Sequence, residues 1–413
     1  MPSPLPLPDA EAPEPYLPSR DEQLALRAAF QRYERPATPR WRVYGLHLLL
    51  FVVTLLTTTL AGAEWVTGKM FFQRADGLVK LTGWFTRPEI LRGLWFSVPF
   101  LGVLTVHEFG HYITARHNRV RVTLPYYLPF FTGFFNTIGT FGAVIRIKER
   151  IFSRREYFDI GLAGPLAGFL VAVPVLIYGF THLPPALEYV FSIHPEYQQF
   201  GADYARYAYK GQMGLTLGKP LLYRLLEHWF ADPARIPHPN ELMHYPVLMA
   251  GALSLFFTAL NLLPIGQLDG GHILYGLLGH QRFNRLSGML FVGFIFYAGL
   301  GLFSLQTDAE TWLYWGLPYG LYLYVVFRKG VPTVRQGMLL AAGVWLAQVG
   351  LTTVVPGILG NPGWLVFGLL LGRLTGIYHP PAVDERPLSP GRKVLGWLMV
   401  VIFVLCFSPS PFG

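Results

Sequence analysis

Apolar runs of about twenty residues recur along this chain, the length needed to cross the hydrocarbon core of a bilayer. Lipid offers no partner for a backbone N–H or C=O, so each such run must satisfy its own polar groups, which a helix does. Only 14% of the residues are charged, against about 25% in an ordinary soluble domain. The runs predict an all-α polytopic membrane protein. Spans fall near residues 43–64, 90–115, 157–180, 244–264, 286–304, 311–327, 336–355, 362–378 and 394–407. Pro318 and Arg373 weaken two of them, so the expected count is eight or nine.

The basic residues test that order. Nine alternating spans starting from a cytosolic N-terminus place 23 Lys and Arg on the inside and 10 outside, as the positive-inside rule requires. Six arginines precede the first span, so the net charge of +9 reflects membrane orientation and not nucleic-acid binding. The proline-rich opening, residues 1–42, has no apolar core and reads as a disordered cytosolic tail. A transmembrane domain over 43–407 follows, then a short tail, 408–413. The orientation and the absence of a transit peptide predict the plasma (inner) membrane of a prokaryote. Cys406 is the one cysteine, which excludes an intramolecular disulfide and a cysteine metal site.

Two stretches depart from a plain bundle. Residues 122–147 are apolar but broken by Pro125, Pro129, Gly133, Gly139 and Gly142, with β-branched and aromatic residues between. They predict a re-entrant, β-hairpin-like segment, tolerated at membrane depth where protein buries it or it lines a wet cavity. The loop 181–243 is long enough to carry one or two short helices.

The second span ends in "VLTVHEFGHYITARHN", where His107, Glu108 and His111 spell H-E-x-x-H. On a helix, i and i+4 share a face, so both imidazoles can reach one ion. Glu108 stands where it could take a proton from activated water. Two histidines and a glutamate are costly to bury in an apolar span, which favours function over packing. A tetrahedral zinc site with an open position needs a third protein ligand. The candidate is Asp269 in "FFTALNLLPIGQLDGGHILYG", a break in the fourth span that the topology puts at similar depth on the same side. Its competing role is to cap the helix that follows.

"HEFGH" with the distant "NLLPIGQLDGG" resembles the site-2 protease family of intramembrane metalloproteases. "GTFGAVIRI" (139–147), "FDIGLAGPLAG" (158–168) and the ending from "HPPAVDERPLSPG" are similar to the bacterial and plastid branch that lacks a PDZ insert. The resemblance covers a core of about 90–275, with loop 181–243 inside it and additional helices over 286–407. It implies one Zn2+ per chain held by His107, His111 and Asp269, with Glu108 activating water. Asn261 would position the substrate carbonyl or its oxyanion, although Leu262 stands where many members have proline. Substrates would be single-span membrane proteins, often trimmed first by another protease. An unwound substrate could pair with a strand made of Gly139, Thr140, Phe141, Gly142, Ala143, Val144 and Ile145. Partners are therefore substrate helices and the lipid bilayer, with no nucleic acid.

Other features read as structural. Gly164 and Gly168 form a small-residue pair suited to helix packing, and Asp159 suits a helix cap. His272 is close enough to Asp269 to touch a ligand. Histidines 182, 194, 228, 238 and 244 share the outer loop with several acids, which leaves a second metal site open there, although their irregular spacing favours a structural reading. The alternative functions are an inactive, helix-binding regulator and a transporter. Loss of a ligand or base would mark the first, and a repeated pair of broken helices the second; neither is seen.

Overall fold

The computed structural model describes residue 22 and residues 39–75, 78–81, 85–210 and 216–411. Most of the expected N-terminal tail lies outside the described residues, and the last three of its forty-two residues already belong to the first helix. That helix, α1 (Arg40–Thr67), ends on Gly68 in the left-handed conformation. It is followed by a small antiparallel pair, β1 (Phe72–Ala75) and β2 (Leu78–Leu81). Helix α2 (Arg87–His117) opens with a capping box between Thr86 and Glu89, and α3 (Arg154–Thr181) with one between Ser153 and Glu156. Each box satisfies orphan N–H groups at a helix start, which fixes where these helices begin.

Helices α4 (Pro246–Asn261) and α5 (Asp269–Leu278) are two halves of one interrupted path. Gly266 turns the chain between them with φ at +61°, and its Cα lies so close to Gly376 that a side chain has no room. After these come α6 (His280–Ala298), α7 (Leu317–Phe327), α8 (Val334–Val354), α9 (Gly363–Leu370) and α10 (Pro390–Cys406). Short π-helical turns, Trp312–Gly316 and Leu371–Thr375, adjoin α7 and α9.

Among the described residues, four helices are long and apolar enough to cross a membrane: Trp41–Thr67, Arg87–His117, Arg154–Thr181 and Val334–Val354. Two shorter apolar helices, Pro246–Asn261 and Gly363–Thr375, fall below that length. The protein is thus mainly helical with at least four such helices, fewer than the eight or nine read from the apolar runs. Pro246 and the Asn261 break leave α4 sixteen residues, and α10 has seventeen, whereas α6 is long enough at nineteen but opens on polar residues that include Arg282 and Arg285.

Residues 122–147 do form a hairpin. Strand β3 (Tyr126–Pro129) pairs antiparallel with β4 (Thr140–Val144), Tyr126 opposite Val144, with a register shift between Tyr127 and Pro129. Its aromatic residues hold it to neighbours: Tyr126 packs on His47, Tyr127 on Phe51, and Phe134 stacks on Phe72. His47 Nδ1 hydrogen-bonds the Pro125 carbonyl at 2.9 Å. The described part of 181–243 carries two short α-helices, Ala186–Ile193 and Leu221–Phe230, together with single turns such as the 3-10 turn Pro239–His244.

The largest core joins α2, α3 and α4 around Phe100, Leu176, Leu248 and Leu255. α1 is drawn against α2 by close backbone approach. A Cβ at Gly93 would sit 2.2 Å from the Thr59 carbonyl oxygen and 2.9 Å from the Ala63 nitrogen. Thr59 Oγ1 and Ser97 Oγ hydrogen-bond across the same contact at 2.8 Å. Gly93→Ala should therefore destabilise the detergent-solubilised protein by about 1–3 kcal/mol through overpacking. Gly102→Ala, where a Cβ meets nothing within 4 Å, should leave the thermal midpoint unchanged in the same assay.

Candidate metal centre

The last third of α2 carries His107, Glu108 and His111, all buried. Across from them, Asp269 is the first residue of α5. Leu268 occupies the cap position, and the Asp269 side chain makes no cap bond. The Asp269 carboxylate turns instead toward the histidines, with Oδ2 3.4 Å from His107 Nε2 and 3.3 Å from His111 Nε2. The two Nε2 atoms are 3.1 Å apart. Three atoms tetrahedrally bound to zinc at about 2.0–2.1 Å stand about 3.3 Å from one another. The observed triangle matches one face of that tetrahedron, so the donor set fits zinc.

The surroundings orient these donors. His111 Nδ1 lies 2.7 Å from the Ile160 carbonyl oxygen. A proton on Nδ1 donates there and leaves the Nε2 lone pair facing Asp269. Helix α3 passes unusually close. A Cβ on Gly164 would lie 2.2 Å from His111 Nε2, and one on Gly168 3.1 Å from His107 Cβ. The small-residue pair is a packing device as read from the sequence, and what it packs on is the pair of imidazoles. Asn261, the last residue of α4, brings Nδ2 to 3.4 Å from His107 Nε2. Glu108 Oε1 is 4.0 Å from the same atom.

The hairpin reaches this centre with only part of the proposed strand. Gly139 is pressed into α1, where its Cβ would sit 2.3 Å from Thr58 Cα, and its carbonyl accepts from Thr57 Oγ1 at 2.7 Å. Thr140 is buried and bonds the Leu128 carbonyl at 2.8 Å. Ala143 is also buried, whereas Phe141 and Val144 are exposed and Gly142 and Ile145 half-buried. The Arg146 amide donates to Thr123 Oγ1 on the hairpin side. Successive strand amides point to opposite edges, so that of Ile145 faces away from β3. It lies beside the Glu108 carboxylate.

Behind Asp269, the sequence singles out His272 but not its partner His379, nor the pair Tyr275 and Glu385. His272 Nδ1 is 2.9 Å from His379 Nε2, and Tyr275 hydrogen-bonds Glu385. The C-terminal strap through 376–388 thereby clamps the back of α5. His379 lay in a segment with no periodicity, visible only within "HPPAVDERPLSPG". Asp159 is no helix cap: Ser153 has that place, and Asp159 forms a two-pronged ion pair with Arg392 at 2.7 and 2.8 Å. Of the outer-loop histidines, the structure gathers His194 and His244 beside Glu241. Burial pushes the Glu241 carboxyl up and the His244 imidazole down from their ordinary values.

Residues 95–300, about half of the chain, match peptidase family M50. The chain belongs to that family. It is 27% identical over 307 residues to "Probable zinc metalloprotease EGY1, chloroplastic" of Oryza sativa subsp. japonica, covering 70% of this chain and 45% of the relative. The Arabidopsis thaliana protein of that name is 26% identical over 329 residues, covering 78% and 53%. "Probable zinc metalloprotease EGY2, chloroplastic" of Oryza sativa subsp. indica is 28% identical over 232 residues, covering 56% and 36%. The chain thus spans about half the length, or less, of these curated relatives. No solved structure matches it. The match agrees with the branch without a PDZ insert, and zinc is the metal common to the relatives' names and the donor set. The expected prokaryotic plasma membrane is overturned, because these relatives are chloroplastic and point to a plastid membrane.

Gly164→Ala should push the His111 ring off the triangle. Zinc bound after dialysis should fall at least about tenfold, the loss typical when a ligand's support is removed, with helix content by circular dichroism unchanged.

Proposed function

We propose that this chain is an intramembrane zinc endopeptidase that cuts the transmembrane segments of single-span membrane proteins. The observation that carries the reading is the 3.1–3.4 Å triangle of His107, His111 and Asp269 with Glu108 beside it, buried on a helix long and apolar enough to span a bilayer. Zinc there would act as a Lewis acid, polarising water and the scissile carbonyl.

The chain's own residues do the rest. Glu108 takes the proton from the attacking water and returns it to the departing amide nitrogen. Asn261 donates from Nδ2 to the carbonyl oxygen as negative charge develops on it. The Ile160 carbonyl holds the His111 ring in place throughout. These residues lie toward the end of α2 remote from loop 181–243, at the face where α1 begins, so the released fragment leaves on that side. With α4, α6, α7, α9 and α10, the four long helices make a bundle of eight or nine membrane-crossing or partly inserted segments. A prior cut by another protease would shorten the substrate before it is bound.

A substrate helix screens its own peptide bonds, so it must unwind, and each backbone group then left unpaired in an apolar setting costs several kcal/mol. The outward edge of β4 offsets that cost by strand addition. Gly139 and Thr140 anchor this strand to α1 and β3, leaving the stretch from Phe141 to Ile145 to meet the substrate. Ile145 is best placed, its amide being beside Glu108.

Glu108→Gln should retain zinc and cut a tagged single-span reporter about a hundredfold or more slowly, the usual contribution of a general base. Full reporter cleavage by this variant would contradict the assignment. An inactive helix-binding protein would instead show no cleavage by the wild type, with zinc bound. In the same assay Ile145→Pro, which removes one backbone donor, should slow cleavage at unchanged zinc content. Wild-type cleavage by Ile145→Pro would remove the docking edge from the account.

A further inference from the structure

At the other end of α4, His194, Glu241 and His244 form a second convergence that the peptidase reading does not use. His194 caps the short helix Ala186–Ile193. Glu241 and His244 lie on the 3-10 turn Pro239–His244, where i and i+3 side chains eclipse. His194 Nε2 and His244 Nε2 are 3.1 Å apart, and His244 Nε2 is 3.4 Å from Glu241 Oε2. All three donor atoms lie within 4.8 Å of one another, the same scale as the triangle of the first centre. Gly68, at the end of α1, lies against both rings, its Cβ position 3.6 Å from each Cε1.

Glu241 is fully buried, at 0% exposure. Its Oε1 accepts the Tyr209 hydroxyl, but its Oε2 has no hydrogen bond and faces the imidazoles. A buried carboxylate oxygen left unpaired is costly. A hydrogen bond between the two rings would use one proton and leave that oxygen as it is, whereas a divalent cation takes a lone pair from all three groups. The outer side of the cluster is arranged as at metal centres: His194 Nδ1 is 3.0 Å from Glu196 Oε1, which fixes the ring with Nε2 inward.

We infer that His194, Glu241 and His244 form a second metal site, for zinc or a similar divalent ion, at the loop end of α4. Two imidazoles and a carboxylate are a zinc donor set. The sixteen residues of α4 separate the two centres by about 24 Å at 1.5 Å per residue. The second ion would tie the two ends of loop 181–243 to each other, against Gly68 at the end of α1. Its neighbours Pro239, Leu242 and Met243, with Trp65, roof an apolar cavity of about 490 Å³ that extends to Phe141 of β4 and to Leu260 beside Asn261. The ion would thus hold the cover of a chamber leading toward the first centre. The sequence left such a site open among the outer-loop histidines but hid which of them converge, because the ligands sit 47 and 3 residues apart, on no single helix face.

The test is zinc content of purified full-length protein in detergent, after equilibration with zinc alone and removal of loosely bound metal. Wild type should hold about two zinc per chain, and His107→Ala/His111→Ala about one. His194→Ala should also hold about one, the retained inner zinc showing that it is folded. Glu241→Gln, which keeps side-chain volume, should match it and should lose the rise in thermal midpoint that zinc gives His107→Ala/His111→Ala. One zinc in wild type together with none in His107→Ala/His111→Ala would overturn the second site. So would two zinc in both His194→Ala and Glu241→Gln.

Discussion

The close approach of α3 to α2 governs everything at the first centre. Where Gly164 and Gly168 face α2, the α3 backbone passes so near the imidazoles that no side chain fits between. That proximity lets the Ile160 carbonyl reach His111 Nδ1, which sets the ring's lone pair toward Asp269. It also closes one side of the triangle with backbone, so that Glu108, Asn261 and the hairpin are left on the other sides. Buried ionisable groups in an apolar helix are expensive, and here they are offset by one another and by fixed backbone partners.

Asp269 is supported from behind in a comparable way. The break at Gly266 starts a new helix whose first residue is the aspartate, so no helix lies N-terminal to it to block the histidines. The C-terminal strap then fixes α5 through His272 with His379 and Tyr275 with Glu385, and Arg154 at the start of α3 adds a bond to the Gly276 carbonyl at 3.0 Å. Residues more than a hundred positions beyond the ligand thereby determine where it points. The hairpin is held to α1 through Gly139, Thr57 and His47 and presents its outer edge beside Glu108.

The parts legible in the sequence are those written in local periodicity. His107 and His111 share a helix face by spacing alone, and Asp269 was found because a proline–glycine break stood out in an apolar run. The β-branched, glycine-broken stretch 122–147 announced a hairpin. What stayed hidden depends on contacts between distant segments. Nothing local distinguishes Gly139, which packs on α1, from Ile145, which faces Glu108. His379 and Arg392 meet His272 and Asp159 only once the chain has folded back, and Asp159 looked like a cap because a helix started nearby. Apolar runs do not report where a helix begins and ends, so more spans were expected than there are helices both long and apolar enough. Basic-residue counts report orientation and not which membrane, and the plastid relatives corrected that expectation.

The central claim is that two α2 histidines and Asp269 hold zinc beside Glu108. Zinc-edge X-ray absorption on detergent-purified protein tests it most directly, using His194→Ala so that only the first centre is populated. The account predicts a shell of nitrogen and oxygen at about 2.0–2.2 Å with the outer scattering of two imidazoles. Asp269→Ala in that background should lose the bound zinc. A shell without imidazole scattering, or an unchanged spectrum at full zinc content after Asp269→Ala, would contradict it.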